Sequence, residues 1–430
     1  MEILKVGEKI KRLRREKGLY LKELGGDFVT NAQLSQVENG KVSPSMKLLK
    51  YLAEKLDTTL EYLLETEKAQ SENYCNLWLK ELEVFIELDD KGEIEDLHNK
   101  ITEFSEEYNL FYIIGISNLK VSDYYIQNED YKKALDILDK NVYYFSKIED
   151  YNRLARTYIK EGNIYYKKEL NEVALQKYNQ AQLFYSKSDI IDLKIESDIL
   201  FNISACYDEM GENKLALKYA KEACRIDEKT KDRTRYSYSL LKYSSVLMDE
   251  RKFEEAKEIL EKSKRIITDK EDEKLTSFIE NNLGHIYLEN EEFEKAYNHL
   301  MKAKEIKEKL KLKELSTTLY ELYKYYLKNQ EEVKALECLE EGINISKENN
   351  IQKHIIKGLN HYIDYYVDKK DYEGAIENIK EAIKLLEHNK EHKNKLINIY
   401  LKLGKIYRDN NKIKEALKAF GKAYEIENKY

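Results

Sequence analysis

Proline occurs once in 430 residues, at Pro44, and glycine only fifteen times. An all-β fold needs both for its tight turns, and collagen needs glycine at every third position, so both classes are excluded. Beyond Pro44 the chain is free of proline to its end, which favours helices joined by short turns. The four cysteines, Cys75, Cys206, Cys224 and Cys338, form no CxxC pair. Inert, reduced thiols in a cytoplasmic protein are therefore expected. No apolar run reaches the roughly 18 residues of a membrane span, and MEILKVGEKIKRLRREKG lacks the apolar stretch of a signal peptide, so no membrane partner is expected. The seven histidines contain no HExxH. His388 and His392 stand four apart without an obvious third ligand, so no metal is expected. GxxxxGK[ST], GxGxxG and GxSxG are all missing, so neither a cofactor nor an enzymatic activity is expected.

Hydrophobic residues make up 42% of the chain and charged residues 36%, with 36 tyrosines. That is enough apolar surface to fold despite the charge. One core rarely grows past about 250–300 residues, so several domains or a repeat array are required. The net charge of −7 is unevenly spread. Residues 1–66 hold 12 Lys/Arg against 10 Asp/Glu, a net +2, which leaves −9 for the remainder. Any nucleic-acid contact is expected of this mildly basic head.

Within residues 1–66, helical periodicity runs from Val6 through Ile10 and Leu13 to Lys17, where Gly18 stops it. A short second helix follows over Leu21–Gly25. Thr30 caps a third over Asn31–Glu38, with Leu34 and Val37 facing inward. Asn39-Gly40 makes a turn, and Ser43-Pro44-Ser45 starts a fourth helix carrying Leu48, Leu49, Leu52 and Ala53. A fifth closes over Thr58 to Leu64. On Ile10-Lys-Arg-Leu-Arg14, Leu34-Ser-Gln-Val-Glu-Asn-Gly-Lys41, Pro44, Leu48, Ala53 and Leu60 to Leu64, this head resembles the phage-repressor-like, Xre-type helix-turn-helix domain. Two departures stand out. Tyr20 replaces the family's capping Ser or Thr, and Gly25-Gly26-Asp27 loosens the turn that follows.

The resemblance implies that Asn31–Glu38 enters the major groove of double-stranded DNA. Asn31, Ala32 and Gln36 then hold base-reading positions, the amides suited to adenine and the methyl to thymine. Gln33, Ser35, Asn39 and Lys41 suit phosphate oxygens, and Arg12 on the first helix is a further candidate. One head makes few phosphate contacts, so a homodimer on a two-fold operator is implied. Residues 67–76 are polar and read as a linker, either a helix extension or a flexible joint.

The rest, 77–430, is periodic. Ala134, Ala174, Ala216, Ala256, Ala296, Ala335, Ala375 and Ala416 recur every 39 to 42 residues. Nine residues before each stands Tyr125, Tyr165, Tyr207, Leu247, Tyr287, Tyr326, Tyr366 or Tyr407, and four after it stands Leu138, Tyr178, Ala220, Leu260, Leu300, Leu339, Ile379 or Phe420. The pattern resembles the tetratricopeptide repeat, with alanines that let a second helix approach the first and rings that fill the space left. Its period exceeds the usual 34 by about six residues, so the helices are longer or the loops fuller. Leu77–Phe104, with Trp78 and Phe85, reads as a degenerate capping unit. The expected fold is all-α: a five-helix head, then a right-handed superhelix of eight to nine helix pairs with a concave face.

Positions two, five and nine before the marker tyrosine lie opposite it on the first helix of each pair, and should face the concavity. Two before it are Asp123, Asn163, Ala205, Ser245, His285, Lys324, Asp364 and Lys405. Five before are Lys120, Lys160, Asn202, Lys242, Asn282, Glu321, His361 and Lys402. Nine before are Ile116, Arg156, Asp198, Tyr238, Phe278, Thr317, Lys357 and Asn398. The middle of the array supplies the candidates for a peptide groove: Asn163, Asn202 and Asn282, with Lys160, Lys242, Arg156, Asp198, Tyr238, Phe278 and His285. An asparagine amide both donates and accepts, and so can grip an extended backbone whatever its side chains. Tyr238 and Phe278 would form pockets for those side chains.

In domain order the whole chain resembles the RRNPP family of quorum-sensing regulators. That resemblance implies a transcription regulator whose concave face binds a short signalling peptide, with a change of oligomer geometry and of DNA binding. A second reading has the array grip a response regulator or phosphotransfer protein, with a phosphatase activity known among relatives.

Overall fold

A computed structural model describes residues 2–267, 272–387 and 393–428. His388 and His392 lie outside the described residues. Among the described residues there are twenty-three α-helices and no strand. The chain divides into two compact units, residues 1–164 with 183–189, and residues 165–182 with 190–430.

The head opens the first unit. Helices α1 (Val6–Glu16), α2 (Leu21–Gly25), α3 (Asn31–Glu38), α4 (Met46–Lys55) and α5 (Leu60–Leu64) enclose Ile10, Leu24, Leu34, Val37, Leu52 and Leu63. Thr30, Ser45 and Thr59 each accept a backbone N–H from three residues on, at 3.1–3.2 Å, and so fix where α3, α4 and α5 begin. Tyr20 cannot cap α2 in this way. The Glu23 carboxylate does so from inside the helix, accepting the Tyr20 N–H at 2.6 Å. Gly26 takes φ +52 beneath Tyr51, whose hydroxyl would lie 2.8 Å from an added Cβ. Arg14 forks onto Glu38 at 2.6 and 2.8 Å and donates to the Leu19 carbonyl at 2.8 Å, which ties α1 to α3.

The segment 67–76 is no loose joint. It is the first half of α6 (Glu67–Glu87), begun by the Thr66 hydroxyl on the Ala69 N–H. From α6 the buried Gln70 reads Leu4 twice: Leu4 N–H donates to its Oε1 at 3.1 Å, and its Nε2 donates to the Leu4 carbonyl at 2.9 Å. Fully buried Lys9 donates to the carbonyls of Tyr62 and Glu65 at 2.7 and 2.8 Å, closing the end of α5. In α6 and α7 (Lys91–Glu107), Trp78 packs edge-on against Phe104 at 5.1 Å.

The pair α8 (Phe111–Gln127) and α9 (Tyr131–Lys147) follows; then come α10 (Tyr151–Lys167), most of it in the first unit, and α11 (Asn171–Tyr185), most of it in the second. The second unit adds α12 (Leu193–Glu209) with α13 (Asn213–Thr230), α14 (Arg233–Asp249) with α15 (Phe253–Ile266), and α16 (Glu273–Glu289) with α17 (Phe293–Lys309). It ends with α18 (Leu315–Lys328) and α19 (Glu332–Glu348), α20 (Gln352–Asp368) and α21 (Tyr372–Leu386), α22 (Lys393–Asp409) and α23 (Ile413–Asn428).

The long period comes from long helices. Most span 17 residues and are joined by three-residue turns. Asp89, Asn109, Glu129, Glu149 and Glu169 mark such turns every twentieth residue with φ of +54 to +59. This left-handed step ends a helix cheaply when glycine fills it; here charged and amide residues fill it, which is why so few glycines suffice.

The marker alanines are buried, seven of the eight completely. Where helices pass closest, even a methyl is too large. A Cβ on Gly284 would sit 2.7 Å from Leu300, and one on Gly404 would sit 2.4 Å from Phe420. A polar group is buried in the same stack. Lys307 of α17 is 0% exposed. It donates to Thr318 Oγ1 at 2.9 Å, Thr317 Oγ1 at 3.1 Å and the Glu314 carbonyl at 3.2 Å, and lies over the Phe278 ring. Burial pushes its ammonium down to about 7.

Between pH 7 and its unfolded value near 10.5, the unfolded chain holds the Lys307 proton more firmly than the native one, so this group makes native stability rise with pH. Lys307→Met removes the buried cation. The variant should therefore be more stable than wild type near pH 7, and lose that advantage at up to about 1.4 kcal/mol per pH unit toward pH 10. Paired urea melts at pH 7, 8.5 and 10 measure it; a gap that does not change with pH would mean that Lys307 does not titrate in this window.

Candidate nucleic-acid interface and ligand groove

Helix α3 turns Leu34 and Val37 into the head and leaves Asn31, Ala32 and Gln36 exposed. Their amides and methyl stand together on one helix face. The supposed phosphate contacts differ from one another. Lys41 is exposed. Gln33 is engaged locally, its Oε1 accepting from the Thr30 hydroxyl at 3.1 Å. Asn39 donates to the Ser35 carbonyl at 2.8 Å and so closes α3, and half-buried Ser35 lies beside it. Arg12 is exposed on α1, pairs with Glu16 at 3.5 Å and donates to the Tyr62 hydroxyl.

In the first unit, α10 carries three of the groove candidates. Lys160 pairs with Asp123, Asn163 is half-buried and Arg156 is exposed. In the second unit, Asp198 of α12 is held by Arg235 at 2.6 Å, Lys242 of α14 by Asp208 at 2.5 Å, and Tyr238 donates to Asp272 at 3.1 Å. Asn202 is half-buried on α12. Phe278, Asn282 and His285 of α16 come together on one wall of a cavity of about 380 Å³.

That cavity adjoins a second, of about 650 Å³, through the shared Thr317, His354 and Lys357. Both volumes are typical of ligand pockets. Their lining repeats the inward slots of the later helix pairs: Phe278, Thr317, Lys357 and Asn398 nine before the marker, Asn282, Glu321, His361 and Lys402 five before, His285, Lys324 and Asp364 two before. Asn281, Asn360, His354 and Lys395 extend the stripe. They stand six or twelve before the marker, where the helical period brings the same face round again. Of the mid-array candidates, Phe278, Asn282 and His285 line the first cavity, and the lining then continues into the later pairs.

The electrostatics of this stretch are one-sided. Buried Glu321 accepts from Lys324 at 3.0 Å, meets His285 Nδ1 at 2.9 Å and lies 3.7 Å from Lys357. Although burial opposes it, His285 and the two lysines hold its carboxyl well below the usual range. Burial pushes His354 and His361 down to about 4, so both imidazoles are neutral at pH 7. The tyrosines of α18 hold this wall, Tyr320 donating to the His354 carbonyl at 2.9 Å and Tyr323 to that of His361 at 3.3 Å. His361 Nε2 is buried and has no hydrogen-bond partner among the described residues.

Among the described residues no three carboxylate, histidine or cysteine side chains gather as a metal site, and no helix is long and apolar enough to cross a membrane. All four cysteines are free thiols.

A helix-turn-helix family profile matches residues 10–63, and a tetratricopeptide-repeat profile matches residues 197–230, 281–310 and 397–430. The chain is 22% identical over 340 residues to the transcriptional activator NprA of Geobacillus stearothermophilus, covering 79% of this chain and 80% of that one. Among solved structures it resembles the apo form of the quorum sensor NprR from B. thuringiensis, with 19% identity and a TM-score of 0.57, over 84% of this chain and 99% of that one. A Rap protein complexed with competence and sporulation factor matches at 18% identity and a TM-score of 0.56, over 84% of this chain and 98% of that one. At such identities the structures establish the fold, and the two profiles fix the order of its parts. The chain thus joins a helix-turn-helix head to tetratricopeptide repeats, a build similar to that of the transcriptional activator NprA and, in fold, to that of the quorum sensor NprR.

Proposed function

We propose that this chain is a DNA-binding transcription regulator whose repeat groove takes a short signalling peptide, and that it acts as a homodimer on a two-fold operator. The observation that carries the reading is the coexistence of two surfaces. One is the α3 face with Asn31, Ala32 and Gln36 exposed. The other is a pair of adjoining cavities bordered by the amides of Asn281, Asn282, Asn360 and Asn398. The first suits base edges in a major groove. The second suits the N–H and C=O groups of an extended backbone. Similarity to a transcriptional activator and to a quorum sensor supports the combination. Binding of the peptide favours one arrangement of the repeats, and this preference sets how the heads engage DNA.

The alternative, a repeat array that grips a partner regulator, has the likeness to a Rap protein on its side. It leaves the matched head at residues 10–63 without a task.

Two measurements test the reading. Gln36→Ala should weaken binding to the operator, recovered by selection from random duplexes, by roughly 5- to 150-fold, the cost of losing one bidentate base contact. Melting temperature should be unchanged. Equal gel-shift affinities for the two proteins would remove Gln36 from the interface. For the groove, peptides retained from a random heptapeptide pool are titrated calorimetrically. Asn281→Ala and Asn282→Ala should each lower affinity about fivefold. Unchanged affinity in both would move the site elsewhere.

A further inference from the structure

The larger cavity pairs an apolar floor with a cationic rim. Ile356, Leu386 and Ile399 form the floor; Lys353, Lys357, Lys395 and Lys402 stand around it, with Asp364 as the carboxylate among the lining residues. Lys402 is bound to Asp364 at 2.5 Å, and Lys357 faces Glu321 at 3.7 Å. The other two lysines find their acids far away in the sequence. Lys395 pairs with Glu169, 226 positions earlier, at 3.0 Å, and Lys353 pairs with Glu209, 144 positions earlier. Both lysines are about half exposed. Ion pairs of that kind are weak and screened by water, so their acids are exchangeable. The adjoining cavity is more acidic, lined by Asp249, Glu314 and Glu321 against Lys324 and Lys357.

From this asymmetry we propose that the cationic end receives a ligand carboxylate, foremost the free C-terminus of a peptide ending in an apolar residue, and that this carboxylate displaces Glu169 and Glu209 from Lys395 and Lys353. The inference rests on the reading that the groove takes a peptide, and it adds the polarity of the chain within it. The C-terminal side chain lies on Ile356, Leu386 and Ile399, and the amino end points toward Asp249. It also assigns the exchange a consequence: when the ligand neutralises Lys353 and Lys395, the two bridges that tie the start of the second unit to its later helices are released.

The test uses the full-length protein and a pool of random heptapeptides with free C-termini. Retained peptides are identified by mass spectrometry after gel filtration, then resynthesised as acid and as C-terminal amide. Each Asp or Glu they contain is also replaced by its amide in turn, which separates a terminal carboxylate from an acidic side chain. The expected result is that amidation lowers affinity roughly ten- to hundredfold. Lys353→Met with Lys395→Met should abolish the difference between acid and amide while the circular dichroism stays native. Glu169→Gln with Glu209→Gln, which removes the competitors, should tighten binding of the acid about two- to fivefold. Retention of no peptide would overturn the peptide reading and this inference with it. Retained peptides that bind equally well as acid and amide, with no dependence on side-chain acids, would overturn the carboxylate site and leave the peptide groove standing. Binding of the acid that is unchanged in the glutamine variant would overturn the exchange.

Discussion

Close approach of paired helices is the constraint on which everything else in the array depends. An alanine methyl at 0% exposure in pair after pair lets the second helix settle against the first. The ring or branched side chain nine residues earlier then has a defined space to fill. No pair can bury its faces alone, so the core exists only between neighbours. This is why the inward face of each first helix is left for polar residues: the packing is complete on the other sides. The groove is thus a by-product of how the stack is stabilised, and its chemistry is free to vary without loss of the core.

Much of this was legible in the chain. The alanine ladder gave the pairing, and the slots two, five and nine before the marker coincide with the lining of both cavities in the later pairs. Helices α2 and α3 lie within the bounds read from the sequence, the latter behind the cap Thr30, because caps are local chemistry; α4 begins after Ser45, and α5 begins at Leu60, two residues later than Thr58. What stayed hidden is non-local. Nothing in a periodic pattern says which pairs enclose a cavity, since that depends on curvature summed over several of them. The pairing of Lys395 with Glu169 joins residues 226 apart and has no sequence signal at all.

Other differences came from side chains with two possible employers. Gln33 and Asn39 suit phosphate contacts by type and position, and both also bond at the ends of α3, where unsatisfied backbone groups compete for them. The polar run after Thr66 reads by composition as either a helix extension or a flexible joint. It folds as helix because Thr66 caps it and Gln70 finds a buried backbone partner.

That last contact sets how the head is carried. Gln70 holds Leu4 by both the oxygen and the nitrogen of its side-chain amide, and the buried Lys9 ammonium sits on the carbonyls that end α5. Swivelling the head against α6 would strip both Gln70–Leu4 bonds. A small rotation of α6 is therefore delivered to α1 as torque rather than absorbed as slack, and the reader behaves like a blade brazed to its shaft.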